Sequence, residues 1–206
     1  MTGPSEVGEF PGVAATPSRR ATVAAAIALF IFSLLPFLPA LRAGFTWDDD
    51  QWITANPALQ RADGLAVIWT QPAASPQYYP LTVTVFWIEH QLWGNHPLGY
   101  HLINLLMHAA AAVALWRVLV RLRLPAAWLG ALLWAIHPVQ VDTVAWATEL
   151  KNTLAALFSF IAVAAYLDFE GLSPPAGRTD RRWRNYAWAT LAFAAALLAK
   201  SVVCPL

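Results

Sequence analysis

Three consecutive carboxylates stand in the segment Phe45-Thr46-Trp47-Asp48-Asp49-Asp50-Gln51-Trp52, directly after a long apolar run. Like charges this close repel one another, which raises the pKa of at least one of them. Ionisable side chains at a membrane boundary are a default place to look for chemistry. A carboxylate there can take a proton from a hydroxyl that attacks a carbon centre. If the attacked centre is the anomeric carbon of a sugar phosphate, a cation must hold the departing phosphate. Asp48 or Asp49 can serve as the base, with spacing alone ranking neither. Lys151 is the first candidate for the phosphate, followed by Lys200 or His101. Attack opposite the leaving phosphate inverts the anomeric centre, by analogy with other glycosyl-transfer geometries.

Other polar residues gather with these. His101, Asn104 and His108 recur at i, i+3 and i+7, one face of a helix. The competing reading is a stripe hydrogen-bonded between helices. His137 precedes Pro138, which disfavours helical geometry at that position. A helix broken at membrane depth is tolerated where it is buried in protein or lines an aqueous cavity. Glu149 and Asn152 flank Lys151 at a helix start, where the carboxylate suits the helix dipole and the lysine does not. For Lys200 the competing reading is snorkelling to the headgroups. His137, Glu149, Asn152 and Asn104 are thus site-lining candidates.

These residues need a membrane scaffold. The 206 residues are 58% hydrophobic and 12% charged, about half the charge of a soluble domain. The apolar residues fall in blocks long enough to cross a bilayer. The reading is an all-α, polytopic membrane protein with about five transmembrane helices, near residues 21–41, 100–120, 126–137 (continuing partly into 139–147), 153–167 and 186–206. Residues 1–20 read as a disordered cytoplasmic tail, and 21–206 as the membrane domain. A twin-arginine-like signal at Arg19-Arg20 is the alternative for the first span, which lacks a suitable cleavage site. Residues 44–99 form a long first external loop with a short interfacial helix at 81–93. The last span has no flanking loop, so truncation is expected.

Arginine placement orients the spans. Arg19, Arg20, Arg117, Arg121, Arg123, Arg178, Arg181, Arg182 and Arg184 share one side, whereas Arg42, Arg61 and Lys151 fall on the other. The positive-inside rule makes the first side cytoplasmic. The acidic run and its loop then face outward, periplasmic if the membrane is a bacterial inner membrane. Net charge +1 gives no nucleic-acid signature. The single cysteine, Cys204, excludes an intramolecular disulfide framework.

Several strings carry a family resemblance: Trp47-Asp48-Asp49-Asp50, Tyr78-Tyr79-Pro80-Leu81-Thr82, the run from Leu92 through His101 and Asn104 to His108, His137-Pro138-Val139-Gln140, Glu149-Leu150-Lys151-Asn152, and Ala199-Lys200-Ser201. In this order they resemble the N-terminal membrane domain of the transmembrane and tetratricopeptide-repeat O-mannosyltransferases, and still more its bacterial relatives. The resemblance implies a partial GT-C glycosyltransferase fold, with Asp48-Asp49 as the acidic motif of the first external loop. It implies a polyprenyl-phosphate sugar as donor, a protein hydroxyl as acceptor, further spans and a C-terminal repeat array. The isolated chain is expected to be inactive. Tyr79 departs from the arginine that animal members tend to carry, and Asp142 from a common glutamate. No cofactor or metal is expected. The alternatives are a metal-dependent membrane hydrolase using Asp48, Asp49 and His101, and a non-enzymatic transport or anchoring module.

Overall fold

The computed structural model describes residues 18–172 and 179–204. Of the expected tail, residues 1–17 lie outside the described residues, while Ser18, Arg19 and Arg20 open the first helix. In α1 (Arg19–Leu34) the Ser18 hydroxyl caps the N-terminus by accepting the Ala21 N–H at 3.2 Å. The segment then tightens into 3₁₀ turns at Leu35–Arg42, where Pro36 and Pro39 cannot donate to a continuing α-helix.

The loop expected to be external is not irregular. A π-helical turn spans Asp50–Thr54, followed by α2 (Pro57–Gln60), α3 (Gly64–Thr70) and α4 (Pro80–Trp93). Gly64 is required where α3 meets α2, because a Cβ there would stand 1.9 Å from the Ala58 carbonyl oxygen. The expected helix at 81–93 is α4. Its buried side carries Val83 and Phe86, which pack with Trp52, Ile53, Tyr100 and Leu150 into the largest apolar core. Roughly 25 cal/mol per Å2 of buried apolar surface makes this core the main anchor of the loop on the helices.

Behind the loop stand α5 (Pro97–Arg121), α8 (Leu150–Phe169) and α9 (Thr179–Ala199), with α5 and α9 both packed on α8. Among the described residues, Arg19–Arg42, Pro97–Arg121 and Ala147–Phe169 are long and apolar enough to cross a membrane. The chain is an all-α membrane protein. The helix expected as the fifth span, α9, begins earlier, at Thr179, ends at Ala199 and is not one of those three. Lys200 therefore lies just beyond the helix, in extended backbone at φ −161°, and not inside it.

The expected third span is two short helices, α6 (Ala127–Ala135) and α7 (Gln140–Ala145). At 1.5 Å per residue they are about 14 and 9 Å long, and neither alone crosses a core about 30 Å thick. They are separated at His137-Pro138, as the proline requires. The break is stitched locally: the Gln140 N–H donates to the His137 carbonyl at 2.9 Å, and the Val139 N–H to His137 Nδ1 at 3.2 Å.

Candidate active site

Asp49 is fully buried, with both carboxylate oxygens engaged. Its Oδ2 accepts the Thr46 N–H at 2.8 Å, and its Oδ1 accepts the Thr148 N–H at 2.9 Å. Burial pushes its carboxyl above the usual range, while the two backbone donors act in the opposite direction. Asp48 is half-buried. One of its oxygens accepts the Thr148 hydroxyl at 3.4 Å, and its side chain lines an open cavity of about 590 Å3. Asp50 folds back on the chain, accepting the Gln51 N–H at 2.8 Å.

Lys151 and Lys200 line the same cavity as Asp48, together with Trp52 and Tyr79. Those two rings stack at 6.0 Å, and the Lys151 ammonium sits 5.1 Å from the centre of the Trp52 ring. Lys151 is 6% exposed and pairs with Glu149 at 2.8 Å. The Asn152 amide donates to the other Glu149 oxygen, and the Asn152 carbonyl oxygen accepts from Lys200 Nζ at 2.5 Å. Glu149, Lys151, Asn152 and Lys200 thus form one chain of contacts. Lys200 has no carboxylate within ion-pair distance among the described residues. It is held there from α4, because the Thr82 hydroxyl donates to the Ala199 carbonyl at 2.9 Å.

The polar stripe of α5 does not enter this cavity. The Asn104 amide donates to the carbonyls of Thr143, Val144 and Trp146 at 2.9, 3.1 and 3.0 Å, and its oxygen accepts the Thr153 hydroxyl at 2.7 Å. His108 Nε2 lies 2.9 Å from the Ala135 carbonyl. His108 meets a carbonyl at the end of α6, beside the break, and Asn104 meets carbonyls at the C-terminal end of α7, groups that must find partners within the protein. His101 is buried beside the Ala43-Gly44 backbone and near Asp49, with neither ring nitrogen in hydrogen-bond geometry to any of the described residues. His137 is exposed at the break and does not line the cavity.

Sequence reasoning passed over Thr148, whose N–H and hydroxyl hold the acidic turn from a hundred residues away. Nothing in its spacing marks it. It also passed over Trp47, although Trp47 adjoins the carboxylates. Its backbone is left-handed at φ +53°, a region that disfavours bulky residues. Its ring is 86% exposed and meets Trp146 edge-on at 6.1 Å. The Trp146 indole donates to the Thr46 carbonyl at 3.1 Å. Trp47, Trp146 and Asp142 line a second cavity of about 430 Å3. No group of three or more metal-ligating side chains is assembled among the described residues.

No family model and no solved structure matches the chain. Curated proteins do. A protein O-mannosyl-transferase of Caenorhabditis elegans is 28% identical over 68% of the chain and 22% of its own length. Protein O-mannosyl-transferase TMTC4 of Mus musculus is 30% identical over 65% of the chain and 22% of its own length. Protein O-mannosyl-transferase Tmtc1 of Drosophila melanogaster is 30% identical over 92% of the chain and 22% of its own length. The chain is related to the TMTC family of protein O-mannosyl-transferases. It spans about a fifth of the length of these TMTC relatives. The resemblance carried by the acidic turn, the α5 stripe and the lysines agrees with this relationship.

Proposed function

We propose that the chain is part of a GT-C-type membrane glycosyltransferase that moves a sugar, mannose by its relatives' names, from a polyprenyl-phosphate donor to a protein hydroxyl. The observation that carries this reading is the placement of Asp48, Lys151 and Lys200 on one cavity wall. In the reaction the acceptor oxygen bonds to the anomeric carbon as the bond from that carbon to the phosphate oxygen breaks. The hydroxyl proton passes to Asp48, and the polyprenyl phosphate leaves with the bond's electrons. The configuration at carbon inverts.

The roles divide by availability. Asp48 is the base because its carboxylate meets the cavity, whereas Asp49 has both oxygens occupied by backbone donors and fixes the turn. Lys200 takes the departing phosphate, since its charge is not already opposed by a carboxylate. Lys151, paired with Glu149, adds field from behind. Trp47 and its cavity offer the acceptor an apolar approach beside the base. The N-terminus is cytoplasmic and the acidic turn faces outward, on the arginine distribution; in a bacterial inner membrane that side is periplasmic.

The test is donor binding to the chain in liposomes containing polyprenyl-phosphate mannose, with transfer to a Ser/Thr peptide measured in a complete protein. Binding that depends on Lys200 and transfer that depends on Asp48 support the reading. Equal binding of wild type and Lys200→Met, with normal transfer in Asp48→Asn, would sink it. Chelation separates the metal-dependent alternative: base catalysis by Asp48 survives a chelator, and a metal-dependent reaction does not.

A further inference from the structure

At the Arg121 end of the bundle, α5 and α9 flank α8 and leave a trough of about 510 Å3 between them. Its wall toward the middle of the helices is apolar, built by Val113, Leu157 and Ile161. Its other end is polar and carries Arg117, Asn185 and the ion pair of Arg121 with Asp168, whose carboxylate also lines the trough.

The two arginines differ. Arg121 is spent within the protein: its Nε and one terminal nitrogen donate to the two Asp168 oxygens at 2.5 and 2.9 Å, and its other terminal nitrogen donates to the Arg117 carbonyl at 3.1 Å. Arg117, one helical turn earlier, is exposed, and its guanidinium has no ion-pair partner among the described residues. A guanidinium presents a rigid fork of donors suited to phosphate oxygens. The same end of the bundle carries an aromatic girdle. Tyr166, Phe169, Trp183 and Tyr186 pack ring on ring, and Arg182 lies 4.7 Å from the centre of the Phe169 ring. Such girdles sit at headgroup level, so Arg117 stands at the depth of lipid phosphates with an apolar channel running from it into the hydrocarbon.

We propose that this trough binds an anionic phospholipid, with the phosphodiester on Arg117 and one acyl chain along Val113, Leu157 and Ile161. The lining favours this occupant: one lipid molecule brings both an anion for Arg117 and a chain for the apolar part, whereas another helix would have to place a carboxylate at that one position. The inference is independent of the proposed transfer reaction and of which face of the membrane this end meets.

The test is native mass spectrometry of the full 206-residue chain, offered equal amounts of phosphatidylglycerol and phosphatidylcholine with identical acyl chains. Wild type retains the anionic lipid about fivefold over the zwitterionic one, the ratio expected for one basic residue near a charged headgroup. Arg117→Gln brings the two to parity, and Arg61→Gln, in the external loop, leaves the preference intact. Ala110→Phe, which fills the trough, displaces both lipids. Glycerol phosphate at the same concentration does not compete, because the acyl chain supplies most of the binding. Equal retention of the two lipids by wild type overturns the proposal. So does a preference that survives Arg117→Gln, competition by glycerol phosphate, or a second copy of the chain bound in place of lipid.

Discussion

Asp49 accepts the Thr148 backbone N–H at 2.9 Å across 99 residues of sequence, so the acidic turn and the entry to α8 move as one body. Asp49 accordingly holds a position, while its neighbour Asp48 faces the cavity.

This division predicts two different failures. Asp48→Asn keeps the shape of the side chain and removes its basicity. In a complete protein it is expected to lower transfer by about 10²–10⁴-fold, the usual contribution of a general base, with unchanged thermal stability. Asp49→Asn places an NH2 against one of two backbone N–H donors. Leaving a buried donor unsatisfied costs about 1–3 kcal/mol, so its melting temperature falls along with its activity. Matched transfer assays and melts of the two variants check the split, and equal stability loss in both would contradict it.

The lysines separate in the same way. Lys151→Met leaves the partly buried Glu149 without its cation, and the loss should stay below the about 3–5 kcal/mol of a fully buried pair broken on one side. Lys151→Met combined with Glu149→Gln recovers most of that loss. Lys200→Met breaks one contact to a neutral amide oxygen and is expected to weaken donor binding by about tenfold or more, the equivalent of a single charge-assisted hydrogen bond. A double-mutant cycle on stability, read beside donor titrations, distinguishes the two residues.

Which residues gather at the cavity was more legible than how they are arranged. Charge beside a membrane is conspicuous in any sequence, and it singled out Asp48, Lys151 and Lys200, which line one cavity. Which aspartate meets the cavity depends on Thr148, a residue of ordinary type a hundred positions away. The break at His137-Pro138 was legible because proline acts locally. The role of Asn104 was not, since its partners are main-chain carbonyls that no side-chain pattern records. Lys200 was expected within a helix because the apolar run continues past it. In the structure α9 ends one residue earlier, where the Thr82 hydroxyl satisfies the Ala199 carbonyl.

Glu89 offers a test of the loop domain through pH. It is 2% exposed on α4, neither carboxyl oxygen has a hydrogen-bond partner among the described residues, and burial pushes its carboxyl up to about 9. Between its ordinary range near 4.5 and about 9 the folded chain holds a proton that the unfolded chain has released. Stability contributed by this group therefore falls as pH rises through that window. Glu89→Gln cannot ionise, so its melting temperature should match wild type near pH 4 and exceed it increasingly toward pH 9. A constant offset between the two proteins across this range would show that Glu89 is not held protonated.

Asn104 is the residue through which a change outside the cavity should reach the chemistry. Its amide joins three carbonyls around α7 to α5, and its oxygen joins the Thr153 hydroxyl on α8. Asn104→Leu is close in volume and removes all four contacts, leaving those carbonyls, of which that of Val144 is on a buried residue, to find other partners. The expected loss is at least about 2 kcal/mol, from the cost of unsatisfied buried polar groups. Two residues beyond the last of these carbonyls stands Thr148, which holds Asp49 in place. Loosening α7 therefore releases the acidic turn, and donor binding through Lys200 should persist while transfer falls. Hydrogen exchange supplies the structural readout. The amides of 139–148 should exchange faster in Asn104→Leu, whereas those of α4 keep their protection. Faster exchange confined to α5, with the turn unaffected, would show that the broken passage holds its place without Asn104.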